Sequence, residues 1–589
     1  MCGIVGEYLY NGQPQDCENI QMMLSKIRSR GPDYSGYSIN YPISLGHSRL
    51  SIIDLSSASN QPFFDDETKL EMVYNGCIYN YKDLRKILIK IGHIFRTTSD
   101  TEVVLKSYIE WGNDCLKKFE GDFAFAIWDN KKKKLFLARD RFGVKPLYYV
   151  NQPNFFRFGS SFQSLIIKKD FPIEFDSQSL HLHFSLHSSI PAPNTLFTNI
   201  KKLIPGHYMV VEKGKEPFIQ KYWQLENTHN QNLIKDEAEA QSLIEESLIQ
   251  SVEKRIDASD TDVGILLSGG LDSSLIVALA KNKFDNIKTF SIGFEDDEEE
   301  KGSEFFYSDQ VSSRFNTKHK KYVIKNADVL PRLFECFKKM SEPMVAQDAI
   351  AFFLLSEKVS KDVKVVLSGQ GADEGFAGYF WYQKIQNEFN SYENFVKHYV
   401  DRTHQEMHEF INRDFKEDFT KKFIKNRFRE MGSHDLISKV LNLDITTLIV
   451  DDPVKRVDNM TMAWGLEARV PFLDHLLLEA SFKIEPALHL KREGKNILKK
   501  IADSILPTDV IARPKGYFPM PALKYIRGEF YDFIYDILCS NKCYNRNLYN
   551  RPYIEKLLKK PNDYRTAIDG NKLWHAAATE LWLQQNLNF

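Results

Sequence analysis

Residues 263–280 read VGILLSGGLDSSLIVALA: an apolar run, a glycine turn and an apolar helical stretch in immediate succession. An apolar run without polar alternation predicts a strand buried on both faces, the environment of a parallel sheet. Two more such runs, TFSIGF (289–294) and VKVVL (363–367), alternate with helical patterns such as QDAIAFFLLSEKVSK. This grammar predicts a doubly wound α/β unit. Ser268, Gly269 and Gly270 allow a tight turn whose N–H groups face one concavity, and Asp272, Ser273 and Ser274 open the helix behind it. The helix dipole adds to those donors, so the turn suits an anionic phosphate, with Asp272 placed to hold Mg²⁺ against a pyrophosphate. The alternative is an ordinary glycine-containing strand-to-helix turn. The chain holds no G-x-x-x-x-G-K-[ST] loop, so this is not a Walker site. The VKVVL run ends in SGQGADE (368–374), and parallel strands send both loops to the same edge. Ser368 and Gly369 then join the phosphate site, and Asp373 offers the metal a second carboxylate.

The first two hundred or so residues differ in texture. Strand-like runs such as SLGHSRLSIIDL, KLEMVYNGCIYNY, FAFAIWD and KLFLARDRFG are punctuated by Gly, Asn and Asp, which predicts layered antiparallel sheets. Around 212–236 the sequence turns polar and aperiodic. We therefore divide the chain into 2–212, a linker at 213–236, and 237–589, whose last two hundred residues read mostly helical. A chain of 589 residues is too long for one ordinary core.

Composition narrows the function classes. The formal net charge of −1 lacks the basic excess of a nucleic-acid binder. No apolar stretch is long enough to cross a bilayer, and the N-terminus does not read as a signal peptide, so no membrane partner is expected. Seven dispersed cysteines argue against a disulfide framework and place the chain in the cytoplasm. One of them is notable. Met1 is normally trimmed before a small residue, which leaves Cys2 with a thiol and a free α-amine on one carbon. The amine can serve as base for its own thiol.

The motifs together resemble the glutamine-hydrolysing asparagine synthetases over nearly the whole chain. MCGIVG, RGPDYSG (30–36), HSRLSIID (47–54), NGCIYN (75–80), TSDTEV (98–103) and ARDRFGVKPLYY (138–149) resemble a class II glutamine amidotransferase of the N-terminal-nucleophile fold. SGGLDSS, SIGFE (291–295), SGQGADE and GLEARVPFLDH (465–475) resemble a PP-loop ATP pyrophosphatase. The resemblance implies that Cys2 attacks the glutamine amide, that Asn75 and Gly76 hold the oxyanion, and that Arg49 and Asp100 bind the α-carboxylate and α-amine. It implies ATP and Mg²⁺ as cofactors, an acyl-adenylate on a carboxylate acceptor, and a synthetase-site lysine at Lys515. Small molecules are the implied partners, with room for a homodimer.

Two positions depart from the usual pattern. Cys77 stands where a glutamate commonly helps receive the glutamine amine, and we read it as a lining residue. Gln370 stands where many members have glutamate, and a neutral amide suits an acceptor whose amine is blocked. Both departures, with IPAPNTLF (190–197), SEPMVAQD (341–348) and RPKGYFPMPALKY (513–525), resemble the N-acetylglutaminylglutamine amidotransferases. That branch implies an N-acetylated dipeptide as acceptor and an osmoprotectant product; aspartate is the alternative acceptor.

Overall fold

The strand-like runs of the first two hundred residues assemble into two six-stranded antiparallel sheets. The structure, a computed structural model, describes residues 2–10, 17–226, 233–296, 301–387, 391–431, 435–513 and 520–587. The first sheet contains β1 (Gly3–Leu9), β2 (Tyr34–Asn40), β3 (Ile43–Arg49), β8 (Tyr148–Gln152), β9 (Phe155–Gly159) and β10 (Lys201–Lys202), ordered β10-β8-β9-β1-β3-β2. The second contains β4 (Phe63–Phe64), β5 (Leu70–Ile78), β6 (Gly121–Asp129), β7 (Lys134–Arg139), β11 (His207–Glu212) and β12 (Phe218–Lys221), ordered β12-β11-β7-β6-β5-β4. Period-two alternation lets each sheet bury both faces. Ile4, Tyr8, Ile43 and Leu45 meet Val73, Ala124, Trp128 and Leu137 between the sheets. On the outer face of the first sheet, Val5 packs with Ile20, Met23 and Leu24 of the helix Cys17–Ile27. On the other side, Met72, Phe123 and Phe125 pack with Leu84 and Leu88 of one helix and Val103 and Val104 of another. The result is a four-layer α/β/β/α unit. Part of the polar stretch 213–236 belongs to it, because β12 pairs along β11 as an edge strand.

The third sheet is parallel throughout. Its strands are β13 (Val263–Leu266), β14 (Lys288–Phe294), β15 (Lys318–Ile324), β16 (Val365–Leu367) and β17 (Glu467–Arg469), ordered β15-β14-β13-β16-β17. The chain winds outward from β13 in one direction, then returns to lay β16 on its other side. The crevice between β13 and β16 is therefore the topological switch point, where open α/β sheets bind ligands. SGGLDSS leaves β13 and SGQGADE leaves β16, so both motif loops border that crevice. Downstream of β16 the described residues are mostly helical, as the sequence predicts.

Buried charges join the two halves. Arg30, which follows the helix Cys17–Ile27, donates from Nη1 and Nη2 to Asp458 at 2.8 and 3.1 Å, with side-chain exposures of 7% and 3%. Lys202 reaches Glu342 at 3.2 Å and also bonds Asp451. Removing one member of such a pair leaves the other charge buried without compensation, which costs about 3–5 kcal/mol. Asp458→Ala is accordingly expected to lower stability by about that amount, read from the shift of the main denaturant transition. A loss below about 1 kcal/mol, the range of an exposed pair, would contradict this reading.

Candidate active sites and family

The first site is built where the start of β1 meets the end of β5. Cys2 is buried beside Asn75, whose side-chain Oδ1 accepts from Cys2 N at 3.0 Å. In the full chain that nitrogen is a peptide N–H; after removal of Met1 the same atom is the α-amine. Arg30 Nε donates to Cys2 O at 3.1 Å, so the Arg30–Asp458 pair also fixes the Cys2 backbone. Burial pushes the Cys2 thiol above its ordinary pKa, which keeps it protonated at neutral pH.

Two donors face the thiol's surroundings. Asn75 Nδ2 is buried and, among the described residues, makes no hydrogen bond. An orphaned buried amide costs about 1–3 kcal/mol, which is recovered when an acceptor arrives. The second donor is Gly76 N–H. Antiparallel pairing alternates residues that exchange bonds with residues that do not. Tyr79 N donates to Glu120 O across the β5–β6 pair, so Gly76, three residues earlier, falls at a non-bonded position opposite Phe123. Its flanking N–H groups on that side reach Gln61 Oε1 from Tyr74 at 2.7 Å and Asp100 Oδ2 from Ile78 at 3.2 Å. Gly76 N–H thus points to the pocket side between them. A side chain here has no room, since a Cβ would lie 2.3 Å from Asp122 O.

Arg49 and Asp100 line the same pocket as Cys2 and Gly76. Arg49 Nη1 donates to Ser56 O and Asn60 Oδ1, both at 2.7 Å, and Nη2 to Asp54 O, which holds the guanidinium against the 54–60 loop. Burial raises the Asp100 pKa, against the stabilising bonds from the Tyr74 hydroxyl at 2.7 Å and Ile78 N–H. Sequence reasoning missed two lining residues, Glu467 and Arg469, which β17 brings in from the parallel sheet. Burial alone would raise Glu467, but nearby positive charges, Arg469 and Lys145 among them, hold it at about 2. Cys77 is not among the residues that line this pocket, contrary to the expectation: its Sγ lies 4.0 Å from Ala258 O in the second half of the chain, and burial keeps the thiol far above the ordinary range.

The second site lies at the switch point. Gly269 adopts φ +76°, and a Cβ there would sit 2.6 Å from Ser308 N, so the turn requires glycine. Ser268 and Ser273 hydroxyls lie 3.1 Å apart, Gly270 N donates to Ser268 Oγ, and Ser274 N donates to Gly270 O as the helix Leu271–Lys281 begins. Ser368 N is tied to Arg469 O at 2.9 Å, and the Ser368 hydroxyl bonds Gln370 Oε1. A Cβ on Gly369 would touch Asp272 Cβ at 3.2 Å, so the two loops are in contact.

Asp272 and Asp373 converge on Lys495, whose ammonium lies 2.7 Å from one and 2.8 Å from the other. Sequence reasoning missed this lysine and named Lys515, which lies outside the described residues. Burial alone would lower Lys495, but the two carboxylates outweigh it and hold the ammonium above its ordinary pKa. The backbone there is unusual: Arg492, Glu493, Gly494 and Lys495 all have positive φ, from 52° to 94°. Non-glycine residues in that region cost about 1–3 kcal/mol each, a strain that clusters at functional sites.

Comparison with known proteins gives the family of the two halves. The Asparagine synthase family profile matches residues 243–584, and the Glutamine amidotransferase domain profile matches residues 1–223. Glutamine-hydrolyzing asparagine synthetase 3 of Bacillus subtilis (strain 168) is 32% identical over 545 residues, covering 88% of this chain and 87% of the relative. Glutamine-hydrolyzing asparagine synthetase 1 of the same organism is 29% identical over 630 residues, covering 100% of this chain and 97% of the relative. Among the described residues, no helix is long and apolar enough to cross a membrane. The chain belongs to the asparagine synthetase family of glutamine-hydrolysing, ATP-dependent amidotransferases.

Proposed function

We propose that Cys2 is the nucleophile that attacks the side-chain amide of glutamine, that its free α-amine receives the thiol proton and passes it to the leaving nitrogen, and that cleavage of the C–N bond releases ammonia and leaves a γ-glutamyl thioester for water to hydrolyse. The thiol, raised by burial, needs such a base at neutral pH. Attack on the amide carbonyl creates an oxyanion, and Asn75 Nδ2 and Gly76 N–H are its donors. The observation that carries this assignment is the orphaned Asn75 amide beside Cys2. Arg49 and Asp100 bind the two charged ends of glutamine. Asn75→Ala is expected to lower glutaminase kcat by about 10²–10³ while KM changes little, since the contact forms only with the oxyanion. A change confined to KM would remove Asn75 from that role.

In the second site ATP activates a carboxylate and ammonia displaces AMP. Ser268, Gly269, Gly270, Ser273, Ser274, Ser368 and Gly369 form the phosphate cradle. Lys495 neutralises the charge that builds on the phosphates, and Lys515 is a second cationic candidate. Two carboxylates within reach of one cation form the hard oxygen donor set that Mg²⁺ takes, so Asp272 and Asp373 would hold it. When bound, it supplies charge neutralisation on the departing pyrophosphate.

For the acceptor we favour N-acetylglutaminylglutamine. Gln370, part-exposed in the β16 loop with its carbonyl oxygen held by Ser368, presents no carboxylate to pair with a free ammonium. The relatives' names favour a second reading, aspartate. ATP–pyrophosphate exchange without glutamine separates the two. Exchange with the blocked dipeptide at least about tenfold above that with L-aspartate is expected; the reverse order would assign aspartate.

A further inference from the structure

Far along the chain from either site, His181 and His404 come together although 223 residues separate them. His181 lies on the helix Ser177–Ser185, in the first half of the chain, and is fully buried. His404 opens the helix His404–Phe410, and Asp418 caps the helix Phe419–Glu430. His181 Nε2 and His404 Nδ1 are 3.1 Å apart, and with an Asp418 oxygen the three residues bring one ligand atom each within 4.8 Å of one another. We propose that His181, His404 and Asp418 form a zinc site that ties the first half of the chain to two helices of the second.

Spacing is the first argument. Zinc–nitrogen bonds of about 2.0–2.1 Å in a tetrahedron put neighbouring ligand nitrogens about 3.3 Å apart, close to the observed 3.1 Å. Two imidazoles and a carboxylate are a borderline-soft set that favours zinc over magnesium or calcium. Three protein ligands leave a fourth position for water.

The outer partners are the second argument. A ligating histidine donates its other ring N–H to a neighbouring group, which fixes tautomer and orientation. His181 Nδ1 lies 2.9 Å from Thr420 Oγ1. Thr420 in turn meets the Ser185 hydroxyl, which donates to His181 O, so this chain ends with every proton placed. His181 Nδ1 then carries its proton, and Nε2 presents a lone pair to the site. His404 Nε2 lies 3.3 Å from His408 Nε2, a contact that can take the His404 proton when zinc binds and so free a second lone pair on Nδ1 toward His181. Asp418 already accepts from Lys421 N at 2.9 Å, which holds its carboxylate in place.

The test is a zinc titration against a competing chelator, on the full-length protein stripped of metal, with wild type, His404→Gln, Asp418→Asn and Thr420→Val. Asn remains a good helix cap, and His404 is only part-buried, so equal melting temperatures without metal certify the fold of those two variants. The expected result is one zinc per wild-type chain that both lack, with Thr420→Val weakened by about tenfold. Zinc should raise the melting temperature of wild type and, at higher zinc, of Thr420→Val, but not of the other two variants. Cobalt in the same place should show a nitrogen–oxygen spectrum without thiolate bands, which separates it from metal on Cys2. Equal zinc affinity in wild type, His404→Gln and Asp418→Asn would overturn the proposal and leave a hydrogen-bonded histidine pair.

Discussion

Cys2→Ala is expected to lower glutamine-driven amidation by at least about a thousandfold while the reaction driven by ammonium salts persists. Loss follows from the absent thiol, since among the described residues no other thiol lines the pocket. Cys77, next to Gly76 in the chain, is buried with a strongly raised pKa. Persistence follows from separation: Asp272, Asp373 and Lys495 gather at the switch point of the parallel sheet, and none lines the Cys2 pocket. An uncleaved N-terminal tag should reproduce the loss, because it converts the α-amine into an amide that cannot take the proton. Product assays with glutamine and with ammonium chloride, on tagged and untagged protein, check this. Full glutamine use by tagged protein would remove the amine from the mechanism.

Lys495→Ala carries the second large effect, on the other reaction. Its ammonium is the positive charge between Asp272 and Asp373, so removal leaves two carboxylates facing the incoming triphosphate. Pyrophosphate release is expected to fall by about 10²–10³, whichever nitrogen source is used. Glutaminase activity should hold. Lys495→Arg keeps the charge but should still lose most of the rate, because the side chain is closely confined. A Cβ on Gly378 would already lie 2.2 Å from Lys495 Cε, so a wider guanidinium has no slot. Wild-type pyrophosphate release by Lys495→Ala would exclude the lysine from that chemistry.

Much of the architecture was legible because its signals are local. A buried strand, its turn and the helix N-terminus are contiguous in VGILLSGGLDSS, and period-two alternation marks the antiparallel sheets without reference to distant residues. Cys2 stood out by its place after Met1, but its partnership with Asn75 was legible only through motif resemblance, since 73 residues separate the atoms that bond. Lys495 was not legible. Its charge meets Asp272 across 223 residues, and what aims it is a run of positive φ that only Gly494 signals. Glu467 and Arg469 escaped for a related reason: their motif belongs to the parallel sheet, but that sheet's edge strand faces the other half's pocket. The 218–221 strand was hidden because an edge strand with one exposed face carries little apolar pattern.

The most direct measurement follows nitrogen and phosphate together. Untagged protein is given glutamine labelled with ¹⁵N in its amide, Mg·ATP, and N-acetylglutaminylglutamine or L-aspartate in separate reactions. Product mass and pyrophosphate are then counted. The account predicts ¹⁵N in a new carboxamide of the blocked dipeptide, with one pyrophosphate for each amide formed. Label released only as ammonia, with ATP untouched in both reactions, would contradict it.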